Sequence, residues 1–124
     1  MSIPRVVESA LSVHRELGPG MHRSLYVVCL AHEMARAGLR FARDVPIPIS
    51  FRGLAIDPFV VEFVVEEAVL VQVLAVESIR PSHQAQLGAL LRHSGLRAGL
   101  LLNFHAPVLK QGIRKRVLKP EDFM

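Results

Sequence analysis

Glu62 is the residue of this chain best placed to do chemistry, a lone carboxylate inside the apolar run Phe59-Val-Val-Glu62-Phe-Val-Val65, with Glu66, Glu67 and Glu77 following. Carboxylates gathered in one pocket would hold a hard divalent cation, which prefers oxygen ligands. The two-residue period of a strand opposes such a gathering. Glu62 and Glu66 share parity, but Glu66 falls at a turn, and nothing assigns Glu67 and Glu77 to the same pocket. His14, His22, His32, His83, His93 and His105 show neither H-x-x-x-H nor H-E-x-x-H spacing, so no zinc centre is expected. His83, directly after Ser82, reads as support for a helix start rather than as a ligand. Cys29, the single cysteine, reads as a buried thiol beside Leu25 and Leu30 rather than as a nucleophile. With Tyr26 as the sole tyrosine and no tryptophan, stacking platforms for single strands are scarce. Gly18-Pro19-Gly20 is a turn, because Pro19 lacks one of the amides that an anion nest needs. Arg114, Lys115, Arg116 and Lys119 form a basic cluster, either the charged guard of a sheet edge or a phosphate footprint.

These side chains must be positioned by elements that the apolar spacing outlines. Val6, Val7, Ala10, Leu11, His14 and Leu17 recur at three- and four-residue intervals and predict a helix over 4–17, with Pro4 in its first turn. A second helix is expected over 22–37, closed by Gly38. Val45, Ile47, Ile49 and Phe51 alternate with Pro46, Pro48 and Ser50, and the two prolines place that strand at a sheet edge. Residues 59–65 and 68–76 read as a hairpin turning at Glu66-Glu67. Helical spacing returns over 81–93, the continuous apolar run 98–104 reads as a strand covered on both faces, and a last strand covers 113–117. The order is ααβββαββ. One α/β domain over 1–118 is expected, followed by a polar tail at 119–124 that would fray.

Composition narrows the setting. A chain of 124 residues can build one core without disulfides or a structural metal. The first residues show no basic stretch leading into an apolar one, so a cytoplasmic location is the expectation. Hydrophobic residues reach 51% and mean hydropathy is +0.34, yet Glu62, Glu66, Glu67 and Gln72 interrupt the most apolar region and exclude a membrane-spanning helix there. Buried strands plus a subunit interface account for that excess better. The net charge of +4 permits contact with nucleic acid without requiring it.

The element order, together with Glu16-Leu-Gly-Pro-Gly20, His83-Gln-Ala-Gln86-Leu87, Gly99-Leu-Leu-Leu-Asn103-Phe104 and Gly112-Ile-Arg-Lys-Arg116, resembles the GxxExxY proteins, a branch of the PD-(D/E)XK nuclease-like superfamily. The resemblance covers roughly residues 4–118. It implies a restriction-endonuclease-like core, a mixed central sheet flanked by helices, with the site at the hairpin strands and first helices. The motif naming the branch falls on Gly20, Arg23 and Tyr26, with arginine in place of its glutamate. Its metal-binding aspartate falls on Glu62, and its E-x-K on Gln72, Val73 and Leu74. In the related Q-x-x-x-Y element Gln86 stands, while the tyrosine position is Leu90.

Phosphodiester hydrolysis needs an activated water and charge stabilisation at the attacked phosphate, jobs shared by metal and lysine. Against that requirement Glu62 alone remains acidic, Leu74 can neither position water nor stabilise an anion, and Arg23 would repel a metal. An Arg23–Glu62 ion pair across the old site is the preferred reading, ahead of a metal site built on Glu62 and of an unpaired Glu62. The expected function is therefore that of a catalytically inactive nuclease-like domain, with no metal or other cofactor, acting as a protein-interaction or self-assembly module. A homo-oligomer is the favoured partner arrangement, with an unidentified protein partner also considered and a membrane excluded. A nucleic-acid-binding domain that does not cut, using Arg23, Arg114, Lys115 and Arg116, is the first rival. A residual nuclease completed by a partner chain is the second.

Overall fold

The structure, a computed structural model, describes residues 2–123. Two helices lead, α1 (Ser2–Leu17) and α2 (Arg23–Arg36), followed by β1 (Phe41–Phe51), β2 (Leu54–Val65), β3 (Val69–Leu74), α3 (Pro81–Ser94), β4 (Ala98–Asn103) and β5 (Ile113–Val117). The five strands form one sheet in the order β1-β2-β3-β4-β5, in which β3 and β4 run parallel and every other neighbouring pair is antiparallel. This is the expected ααβββαββ α/β architecture.

Each face of the sheet is covered by helix. Val6, Ala10 and Val13 of α1 and Leu30 and Met34 of α2 pack on Phe63, Val65, Val71, Val73, Leu100 and Leu102. On the opposite face, Leu87, Leu90 and Leu91 of α3 pack on Val61, Leu70 and Leu101. β4 alternates between the two clusters and is buried from Gly99 onward, as its unbroken apolar sequence requires. Gly99 and Gly112 are two places where the core leaves no room for a side chain. A Cβ on Gly99 would lie 2.8 Å from Leu87 Cδ1, and one on Gly112 only 2.5 Å from the backbone oxygen of Asn103.

The first hairpin is longer than the sequence suggested. β1 begins at Phe41 rather than Val45, and β2 at Leu54 rather than Phe59. Arg52 and Gly53, both at positive φ (49° and 85°), form a two-residue turn whose twist matches that of the strands. The outer half of the arm is exposed, so burial alternation could not reveal it. Glu66 and Glu67, at φ 53° and 57°, turn β2 into β3 at the expected place. β3 ends at Leu74, two residues earlier than expected, because the Asn103 side chain takes over the backbone groups of Val76.

Two smaller expectations need correction. Cys29 is only half-buried, packed against the margin of the core, and Leu25 one turn before it is 42% exposed, so the thiol is not the fully buried one expected. The segment after β5 forms a short 3-10 turn, Pro120–Phe123, in which the Asp122 carboxylate accepts from the Lys119 N–H at 2.8 Å; Met124 lies outside the described residues.

Candidate functional site

Glu62 sits where β2 and β3 part. Their ladder runs Val65↔Val69, Val64↔Leu70, Phe63↔Val71 and stops. The N–H of Val73 donates instead to Glu62 Oε1 at 2.7 Å. Side-chain alternation breaks at the same level: Val61 faces α3 while Phe63 faces α1 and α2, and on β1 Val45 and Phe41 are divided in the same way. Asp44, at φ +51° between those two, marks the irregularity. A regular strand would point Glu62 toward α3; the break lets it reach α2 as well.

There it meets Arg23. The guanidinium Nη1 donates to Glu62 Oε2 at 3.0 Å, with the arginine side chain 51% exposed and the glutamate 18%. The ion pair expected from the sequence is therefore present, and both carboxylate oxygens of Glu62 are engaged. A pair with so much solvent on one side contributes at most about 1 kcal/mol. The bond to the Val73 N–H matters more, since Val73 is 2% exposed and its amide has left the ladder.

Gln72, Leu74, Gln86 and Leu90 are gathered on the α3 side. Gln72 is 4% exposed, and its Nε2 donates to Gln86 Oε1 at 3.2 Å, while its own Oε1 is buried without a partner. Leu74 packs against the α3 cluster, to which Leu90 belongs. The fold thus brings Arg23 to Glu62 from the α2 side and Gln86 to Gln72 from the α3 side, with Leu74 on the latter.

The fold family implies a divalent metal at this place, so the donor set can be tested against one. It comprises one carboxylate, already bonded to a guanidinium and a backbone amide, and one neutral amide oxygen. No three His, Cys, Asp or Glu side chains converge among the described residues. A hard dication needs several anionic or water oxygens, and a fixed guanidinium 3.0 Å from the sole carboxylate opposes it electrostatically. These residues do not fit a metal.

Tyr26 has a structural duty. Its hydroxyl donates to the Gly18 carbonyl at 2.6 Å and accepts from the Met21 N–H at 3.0 Å, clasping the turn between α1 and α2, while its ring stacks on Phe104 at 4.7 Å. His14 donates from Nε2 to the Ala106 carbonyl at 2.8 Å. His83 Nδ1 accepts from the Arg80 N–H at 2.8 Å, which supports the start of α3 as expected.

The basic cluster lies on β5, at an edge of the sheet. Arg114 donates to the carbonyls of Gln111 and Ile113, and the Arg116 guanidinium rests against α3 over Gly88. Of the three cations offered as phosphate contacts, Arg114 is thus bonded within the chain, while Lys115 and Arg116 are exposed.

Asn103, part of the run Gly99 to Phe104, has a role that membership of that run does not by itself announce. Its Oδ1 accepts from the N–H groups of Val76 (3.0 Å) and His105 (3.3 Å), and its Nδ2 donates to the Val76 carbonyl at 2.9 Å. The signal was available: it is the one amide at the end of an otherwise apolar strand.

This geometry is that of a nuclease-like core, and comparison with protein families agrees. The model of the PD-(D/E)XK nuclease superfamily matches residues 2–117, and the chain belongs to that superfamily. No curated protein and no solved structure matched it. Among the described residues, no helix is long and apolar enough to cross a membrane.

Proposed function

We propose that this is a GxxExxY-type domain that has lost nuclease activity and serves as a protein-interaction module, foremost for self-assembly. One observation carries the reading: the Glu62 carboxylate is bonded on one oxygen by Arg23 and on the other by the Val73 N–H. The position that would anchor a metal is thereby engaged inside the fold. Gln72 supplies no charge, and Leu74 joins the apolar cluster under α3 where an anion-stabilising lysine would stand. Arg114 is bonded to backbone carbonyls of its own chain, and the β5 cations stand at the sheet edge two strands from β3, which makes a phosphate-binding role the weaker reading.

The test is direct. The pure domain, incubated with single- and double-stranded DNA and RNA in Mg²⁺ or Mn²⁺, should leave every substrate intact. Metal-dependent cutting by the wild-type protein that vanishes in Glu62→Ala would overturn the loss of activity.

A further inference from the structure

The outward side of α2 carries a second apolar stripe. The core takes Tyr26, Val27, Leu30, Ala31 and Met34. Leu25 and Val28 lie on the other side, 42% and 55% exposed, His32 and Ala35 continue them, and Met21, 42% exposed, stands just before the helix. The spacing 25, 28, 32, 35 alternates three and four residues, the interval at which side chains of one helix meet a second helix along a seam. α1 is different, since its apolar residues face inward. Beside the stripe, α1 and α2 enclose a groove of about 640 Å³ whose walls include Val13, Leu17, Val28 and Cys29.

We infer that this seam receives α2 of a second copy of the chain. The inference rests on the self-assembly reading above and names its surface. Charge selects the occupant: the groove is bordered by Arg15 and Glu16 from α1 and by Glu33 and Arg36 from α2, two bases and two acids. A border without net charge attracts neither phosphate nor a strongly acidic or basic partner, and it lets two copies of a chain of net charge +4 approach without local repulsion. Addition through the sheet edges is disfavoured. Pro46 and Pro48 remove donors from the β1 edge, and Arg114, Lys115 and Arg116 would set like charges together along β5. α2, at 14 residues, gives a contact about 21 Å long, enough for three helical turns to interdigitate across a two-fold axis.

The mass in solution decides it, measured by sedimentation over a range of concentrations. Wild type should be a dimer, and Val28→Glu, which would bury a charge in the seam, should raise its dissociation constant about tenfold or more. Phe51→Ser with Leu54→Ser, at the exposed hairpin tip, should leave the dimer unchanged. A second measurement needs no variant: Cys29 borders Val28, so a bismaleimide spanning about 10 Å, near the separation of packed helix axes, should join two copies through it. A wild-type dimer that Val28→Glu does not weaken and Cys29 does not cross-link would overturn the α2 seam and leave self-assembly standing. So would a dimer lost only in the Phe51/Leu54 variant. A wild-type monomer at every concentration would overturn self-assembly itself.

Discussion

Gln72 and Asn103 are both amides, on neighbouring parallel strands, 4% and 2% exposed, yet they live in opposite circumstances. Asn103 uses its oxygen twice and its nitrogen once, always on backbone groups, and so fastens the end of β4 to the chain leaving β3. Gln72 makes one contact, to the exposed Gln86, and keeps a buried oxygen with nothing to accept from. The residues on which the resemblance was drawn divide along that line. Tyr26, Gly99, Asn103 and Gly112 are explained by geometry they maintain, whereas Arg23, Gln72 and Leu74 occupy positions where the scaffold asks little of the side chain.

The same kind of substitution at the two amides should therefore give opposite signs, and the largest effect should be at Asn103. Asn103→Leu leaves the Val76 N–H and carbonyl and the His105 N–H without their partner, which at about 1–3 kcal/mol for each group left buried and unpaired predicts a loss of about 3 kcal/mol. Urea unfolding would measure it. A loss below about 1 kcal/mol would erase the distinction between the two sites.

Glu62 falls between them. Glu62→Ala strands the buried Val73 amide and releases Arg23, with an expected cost of about 2 kcal/mol. Arg23→Ala spares the amide bond and should cost less than about 1 kcal/mol in the same assay, because that arginine is half in solvent. Equal costs for the two would mean that the ion pair, rather than the amide, gives Glu62 its value.

Gln72→Leu should have the smallest effect, between neutral and a gain of about 1 kcal/mol. It removes an orphan acceptor and places an apolar side chain among apolar neighbours, and the exposed Gln86 turns to water. A clear loss in thermal unfolding would show that Gln72 holds something the fold depends on.

Most of the architecture was legible because periodicity reports burial. The helices at α1, α2 and α3, the doubly covered β4 and the edge position of β1 all follow from spacing and proline. The outer hairpin was not legible, since residues 54–58 include Asp57 and Pro58 and face solvent, leaving no period to read. The site was legible in part. Counting parity from the turn back to Glu62 assumes an unbroken strand, and the break opposite Asp44 is a backbone event that no residue type announces. The pairing of Glu62 with Arg23 could be anticipated from opposite charges at corresponding motif positions; its grip on the Val73 amide could not.

The single parallel pairing, β3 with β4, also sets an order of events for the folding chain. β1–β2 and β2–β3 close through turns of two or three residues, and such hairpins form within about 1–10 μs. β4 cannot join until α3 has crossed the sheet, so Val69 must find Ala98 over a much longer stretch of chain. Contacts of that separation bear the loop-closure entropy before any ladder bond repays it. That cost predicts a late, rate-setting crossover, with the Asn103 bonds to Val76 made as it completes.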